Sequence, residues 1–251
     1  MRSMSRVCAV VGVVVSSAGL ARPAHADVVV VKTYLTGGYH ASGAFTNSYP
    51  GQNYRVGHSP ITTDPERRNF FLFDFTTLPA LPPGAITAGS LKLYVPFFAP
   101  GITIDPGDGY ISPDPFEVYR VTTTPYTVDE MADPTHSAAA ATAIFATLGT
   151  GLLMGEVAVS PADKGTFLDI PLTPAAVTGI NAMMGSGKLA VGGRITSLSF
   201  IPPDELLFGF TDMAAPHMEG KEPYLSLTVV PAPAGACLFG TCFMLARRRR
   251  A

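Results

Sequence analysis

Short runs of strand-forming residues, separated by glycine and proline, constrain the fold of this chain most. Glycine and proline supply 25 and 23 of its 251 residues, and both interrupt regular structure. Between them lie nine short segments rich in β-branched and aromatic residues, as is typical of β-strands. They cover residues 28–35, 68–75, 90–97, 116–122, 155–160, 166–172, 188–193, 206–210 and 224–230. This pattern predicts an all-β fold, an antiparallel β-sandwich of the jelly-roll type.

Alternation within the strands predicts which side chains are buried. In residues 90–95 the apolar side chains at 91, 93 and 95 fall on one side, and Lys92 and Tyr94 fall on the other. Successive strand residues point to opposite faces of a sheet. Residues 224–230 repeat the pattern, so we expect both strands to cover a core with one face.

One helix is predicted, with Thr173 as its N-cap, Pro174 in its first position and Gly185 at its end. We expect this helix to cap one end of the sandwich. A second stretch, residues 137–148, is alanine-rich and is followed by a glycine. Its threonine and isoleucine suit a strand equally well, so helix and strand both stay open there.

The first 26 residues have the pattern of a secretory signal peptide. Arg2 and Arg6 precede an apolar run at 7–15, and Ala24-His25-Ala26 matches the A-x-A site cut by signal peptidase. An uncleaved membrane helix is the alternative, but the apolar run is short for one. The mature chain is therefore expected to begin at Asp27 and to comprise one sandwich domain, residues 27–229.

Removing the targeting segments changes the charge balance. All 19 acidic residues lie between Asp27 and Glu222, whereas seven of the 17 basic residues lie in the two terminal segments. The body then carries a net charge of −9. An acidic surface repels phosphate backbones, so nucleic-acid binding is not expected, and a glycan partner is expected to be neutral or bridged by cations.

The sequence of the body contains few features that indicate catalysis and none that indicate thiolate chemistry. The three cysteines, at 8, 237 and 242, all lie in the terminal segments, so the body has no disulfide framework and no thiolate ligand. It has no G-x-S-x-G, Walker A or H-E-x-x-H motif. The acidic pairs Asp129-Glu130 and Asp204-Glu205 suit glycoside hydrolysis, but they also suit solvated turns. We predict that the protein is not an enzyme.

The last stretch of the chain, residues 230–251, has the pattern of a short membrane-spanning segment. Two prolines are followed by 13 apolar residues, 234–246, and then by four arginines. Thirteen helical residues span about 20 Å, less than the roughly 30 Å of a hydrocarbon core. The arginines are expected to stay cytoplasmic. This favours a temporary hold in the membrane, with a weak permanent anchor as the alternative.

The same residues resemble the PEP-CTERM sorting signal of Gram-negative bacteria, with alanine in place of the family's glutamate. That resemblance implies cleavage by exosortase, a membrane protease, and release of the body to the cell surface or the extracellular matrix. The protein would then touch the membrane only through this C-terminal helix. The residues that carry the resemblance are Pro231, Ala232, Pro233, Arg247, Arg248, Arg249 and Arg250.

A second resemblance covers about 30 residues in the centre of the chain. Residues 68–75, RNFFLFDF, and the following PPGAITAGSLKLYV are similar to a hairpin of carbohydrate-binding-module-like, disaggregatase-related jelly rolls. The resemblance implies the same jelly-roll fold for the body. Arg68 and Asp74 have the same parity in this segment and are expected on one face, opposite the phenylalanines at 71, 73 and 75.

Two candidate binding sites stand out in the body. Asp105, Asp108 and Asp114, in a loop with flexible glycines, supply the hard oxygen ligands that calcium prefers, although such residues also dominate ordinary turns. No other cofactor is expected. Rings suited to stacking on sugars come from four tyrosines near the N-terminus. They are Tyr34, Tyr39, Tyr49 and Tyr54.

Together these patterns predict a secreted, exosortase-processed surface or matrix protein with a non-catalytic structural or adhesive sandwich. The alternative is a carbohydrate-binding or polysaccharide-active module, which would bind an extracellular polysaccharide. The first expects a location that depends on the C-terminal signal. The second expects a saturable glycan site lined by tyrosines or acids.

Overall fold

The computed structural model describes residues 26–48, 54–58, 66–76, 78, 81–95, 114–122, 128–133, 135–185, 187–196, 205–208 and 220–230. The strands in these residues are β1 Asp27–His40, β2 Phe45–Ser48, β3 Val56–His58, β4 Arg67–Asp74, β5 Ile86–Tyr94, β6 Asp114–Arg120, β7 Leu152–Val159, β8 Phe167–Pro171, β9 Lys188–Ile195, β10 Glu205–Leu207 and β11 Tyr224–Val229. The helices are α1 Ala138–Thr147 and α2 Pro174–Asn181, with 3₁₀ turns at Glu130–Ala132 and Pro161–Asp163.

Every strand pairing is antiparallel, which confirms the predicted all-β antiparallel fold. Each of the nine predicted segments overlaps a strand. The strands β2 and β3 were not predicted, because FTNS and VGH are too short to show an alternation. Residues 26–231 form one compact unit.

The long strand β1 belongs to two sheets. Its first half, residues 27–32, pairs with β11, which continues through β5 to β8. Its second half, residues 33–40, pairs with β4, which continues through β9 and β6 to β7. We call these the four-stranded and the five-stranded sheet. The pairing register shifts between Thr33 and Leu35, where β1 passes from one sheet to the other.

The two sheets meet again at their far strands. The Thr173 amide, just after β8, donates to the Met154 carbonyl of β7 at 2.7 Å. A Cβ atom on Gly155 of β7 would lie 2.5 Å from the Pro171 oxygen of β8. The sheet is therefore nearly closed, like a barrel.

The main core fills the space between the two sheets. Alternate residues of β4, β5 and β11 enter it, including Phe71, Leu91 and Leu225, each at most 1 % exposed. This confirms the inward leucines predicted for residues 90–95 and 224–230. A second cluster lies on the outer face of the five-stranded sheet, where Phe70 and Leu72 of β4 pack against Ile144 of α1.

Both helices begin at side-chain caps. Thr173 accepts a hydrogen bond from the Ala176 amide at 3.2 Å, which confirms the predicted start of α2. Asn181 of α2 bonds both backbone groups of Ile86, at 3.0 and 2.8 Å, and so fixes the helix to β5. Ser137 is the N-cap of α1. The sequence of this stretch was compatible with a helix or a strand, and the structure has a helix there.

Phe208, directly after β10, has a strained backbone. Its φ of 55° is the positive φ of a non-glycine residue, the one such case in the described ranges. Its ring lies 4.9 Å from that of Phe116 and 5.5 Å from that of Tyr54, measured between centroids. Burial of this ring offsets the cost of the left-handed backbone, about 1 kcal/mol or more.

Candidate functional site

Tyr34 of β1 is half-buried on the outer side of the five-stranded sheet. Its hydroxyl donates to Asp129 Oδ1 at 2.8 Å, and Lys188 Nζ lies 2.7 Å from both oxygens of the same carboxylate. The Lys188 ammonium also lies 5.4 Å from the Tyr34 ring centroid. A sugar would have to displace this lysine to stack on that side of the ring.

The charges in this cluster reinforce one another. Hydrogen bonds from Lys188 and Tyr34 hold the pKa of Asp129 below its usual value. The Asp129 carboxylate in turn raises the pKa of Lys188. Burial, and then Asp129, raise the pKa of the Tyr34 phenol. A glycosidase acid needs a raised pKa, so Asp129 does not suit that role.

Replacing Asp129 with asparagine is expected to destabilise the protein at pH 7 by less than about 1 kcal/mol, because the ion pair is largely exposed. A depressed pKa stabilises the fold only above the unfolded-state value, and this contribution is lost as the pH falls through the folded-state value. The difference between wild type and Asp129→Asn should therefore shrink from pH 7 to about pH 3. Urea unfolding at both pH values measures it. An equal difference at both would contradict the expectation.

Tyr39 and Tyr54 are core residues, so the prediction that their rings face a glycan is wrong. Tyr39 is fully buried, and its hydroxyl donates to the Met131 carbonyl at 2.6 Å. Tyr54 is 1 % exposed and donates to the Tyr94 carbonyl. Both hydroxyls satisfy backbone acceptors inside the fold. Tyr49 lies outside the described residues.

Replacing Tyr54 with phenylalanine is expected to cost about 1–2 kcal/mol, because the Tyr94 carbonyl then lacks this donor in a dry site. Tyr34→Phe is the matched control. Its hydroxyl bonds an exposed carboxylate, so its loss should cost clearly less. Thermal unfolding of both variants measures the difference. Equal losses would mean that the buried hydroxyl has no special role.

The predicted calcium ligands are largely outside the described ranges. Asp105 and Asp108 fall in the stretch 96–113, which is not described. Asp114 is the first residue of β6, and only its backbone is described. Among the described residues, no three histidine, cysteine, aspartate or glutamate side chains come together as metal ligands would.

The outer face of the four-stranded sheet carries exposed apolar and aromatic side chains that the sequence analysis did not select. Val28, Val30 and Phe167 are 64 %, 51 % and 36 % exposed. Between them lie small or hydroxylated residues such as Ser90 and Ser226, which are register partners.

One end of this face forms what we call the aromatic corner, made of Tyr94, Phe167 and Tyr224 with Lys92 and Lys221. The Phe167 ring contacts those of Tyr94 and Tyr224 edge-on, at 5.4 and 5.6 Å between centroids. Lys221 Nζ lies 4.5 Å from the centre of the Tyr94 ring, a cation–π contact. Lys92 pairs with Asp169 of β8. Although burial works against it, this contact and a hydrogen bond from Ser90 hold the pKa of Asp169 below its usual value.

The two ends of the described body lie side by side. Asp27, the first residue of β1, is the register partner of Val229, the last residue of β11. Residues 1–25, which hold all of the predicted signal peptide but Ala26, lie outside the described residues, as does the sorting signal from Pro231 onward. None of the helices in the described ranges has the length and apolarity to cross a membrane.

No family model matches this chain, and no curated protein has a significantly similar sequence.

Proposed function

We propose that this chain is an exported cell-surface or extracellular-matrix protein whose sandwich is a structural or adhesive module without catalytic activity. The pairing of Asp27 with Val229 carries the proposal. A signal peptide and a tail with cytoplasmic arginines enter one membrane from the same side. A body held by both segments during export has both of its ends at one membrane, and the first and last strands of this body place its ends side by side.

The described carboxylates support a role without acid–base catalysis. Hydrogen bonds from Thr76, Lys188 and Thr135 hold the pKa values of Asp74, Asp129 and Asp133 below the usual range. Glu117 accepts bonds from Arg194 at 3.1 and 3.3 Å and from Tyr119. Asp129 and Glu117 thus join neighbouring elements, whereas Asp74 and Asp133 are bonded within their own turns. The lowered pKa values of Asp74, Asp129 and Asp133 do not suit a general acid.

The fold proposed for the body is a jelly roll. Spatial neighbours are mostly distant in sequence: β11 lies between β1 and β5, and β9 lies between β4 and β6. Such connections, with two antiparallel sheets facing one core, are characteristic of Greek-key sandwiches. The helix α2 packs on β5 and β7, one from each sheet, and suits the capping role.

In this proposal a signal peptidase cuts before Asp27, and an exosortase-type protease cuts near Pro231–Pro233 while the C-terminal helix is held in the inner membrane. Mass spectrometry of the protein from its native host, in envelope and medium fractions, tests both cuts. The expected product begins at Asp27 and lacks the four terminal arginines. Recovery of the body with Arg247–Arg250 attached would overturn the processing step.

The aromatic corner favours a second candidate function, binding of an extracellular polysaccharide. Phe167 is partly exposed and flanked by two tyrosines and two lysines, which suits stacking on a sugar and contact with its hydroxyl or carboxylate groups. Electrophoresis of the purified body through polysaccharide-containing gels tests it. Retardation lost in Phe167→Ala and kept in Tyr34→Ala would support this corner, and no retardation in any gel would exclude it.

A further inference from the structure

Within the described part of the chain, residues 27–32 of β1 pair with another strand along only one of their two edges. Their register partners all belong to β11, and β4 pairs with β1 only from Thr33 onward. Among the backbone hydrogen bonds of the described loops, none reaches residues 28–32. No described residue therefore pairs with the edge that faces away from β11, over six residues or about 20 Å of extended chain.

The side chains of this stretch do not protect the edge. Val28 and Val30 are the two most exposed large hydrophobic residues in the described part of the chain, at 64 % and 51 %. Natural edge strands are usually protected by proline, a bulge or a mid-strand charge. Between Asp27 and Lys32 there are only four valines. An uninterrupted apolar edge of this kind favours pairing with another strand.

We propose that this edge pairs with the same edge of a second copy of the chain. Antiparallel pairing about a two-fold axis joins the two four-stranded sheets into one continuous sheet. Centred on Val29, it places Val28 of each copy opposite Val30 of the other, on the same face. The four exposed valines then form one cross-strand cluster.

The ends of the stretch fit the same arrangement. In the pairing centred on Val29, Asp27 of each copy lies opposite Val31 of the other, so the stretch from Asp27 to Val31 pairs over its full length in both copies. At Lys32 the free edge stops, because β4 begins to pair at Thr33. Residues before Asp27 of each copy would therefore run toward the end of β4, near Phe73, in the other. The arrangement therefore needs a chain that starts near Asp27, and it rests on removal of the signal peptide proposed above.

Sedimentation velocity of purified residues 27–230 over a concentration series tests the proposal. Wild type is expected to form a dimer, and Val28→Lys/Val30→Lys is expected to weaken it about tenfold or more, because like charges then face each other. Ala88→Lys/Ser90→Lys is the matched control. These residues lie at the same levels of the same face on β5, two strands from the edge, and their dimer should persist. A monomeric wild type, or equal effects of both variants, would overturn the proposal.

Cross-linking gives a second test that does not depend on tolerance of lysine. The body contains no cysteine, so in Val28→Cys/Val30→Cys the introduced thiols are its only ones. Directly opposed strand residues lie close enough for a disulfide with small adjustments. Mild oxidation should give a covalent dimer, whereas Ala88→Cys/Ser90→Cys should not. Failure to cross-link in a folded protein would overturn the pairing. Export plays no part in either measurement, so that failure would leave the proposed location unaffected.

Discussion

Replacing Gly192 of β9 with alanine is expected to lower the free energy of unfolding by about 3 kcal/mol, the upper range for overpacking a core. A Cβ atom there would lie 2.6 Å from Leu148 Cα and 2.8 Å from the Leu148 carbonyl carbon, and closer still to its oxygen. These are backbone atoms at the end of α1, so the clash can be relieved only by moving the helix off the sheet. Urea unfolding monitored by circular dichroism measures the loss.

The matched control is Gly187→Ala. A Cβ atom at Gly187 would lie 3.5 Å or more from its neighbours, an ordinary contact distance. Its stability should stay within about 1 kcal/mol of wild type. Similar losses of stability in the two variants would show that the close approach of α1 to β9 is not the reason why alanine is unfavourable at position 192.

Replacing Arg68 with methionine is expected to cost about 2–3 kcal/mol, because two partly buried acceptors lose their donor together. Arg68 Nε donates to Glu66 Oε1 at 2.7 Å, and Nη1 donates to the Phe145 carbonyl at 3.2 Å. The guanidinium carbon lies 4.3 Å from the centre of the Phe145 ring. A cation at the C-terminal end of α1 also suits the helix dipole. Thermal unfolding measures the loss.

Arg194→Met provides the comparison, since Arg194 also pairs with a glutamate and stacks on a ring but is 32 % exposed, against 14 % for Arg68. Its loss should be smaller. Arg68→Lys should recover only part of the stability, because an ammonium cannot reach the glutamate and the helix carbonyls at once. Full recovery with lysine would mean that charge alone matters at this position.

Strands were predictable where one face meets the core. In β5 and β11 the leucines face inward and the polar residues face out, so the alternation is clear. The predicted first strand ended at Leu35, whereas β1 continues to His40 through Gly37 and Gly38. Glycine fits there because a Cβ atom on Gly38 would lie 3.1 Å from the Arg68 oxygen. This stretch has a composition typical of a loop, but its packing on β4 makes it a strand.

The candidate site was harder to predict from the sequence, because a tyrosine ring packs in a core as readily as it lies on a surface. Tyr39 and Tyr54 lie among glycines and polar residues, yet their hydroxyls bond buried carbonyls. The alternation of apolar and polar residues in β5 and β11 did indicate part of the aromatic corner. Tyr94 and Tyr224 have the parity opposite to the inward leucines, and only the pairing of β5 with β8 brings Phe167 beside them. Such cross-strand neighbours require the sheet order, which one sequence does not supply.

The opposition of Asp27 and Val229 also determines how the body responds to mechanical load. In an antiparallel pair, a pull applied to two directly opposed end residues strains the hydrogen bonds one after another rather than all at once. Tension between the two ends of the body would therefore unzip β1 from β11, starting at this pair. A pull on Val229 from a contact on the outer face of β5 would instead load several inter-strand bonds along β11 together. Attachment through one end and one face thus resists force better than attachment through both ends.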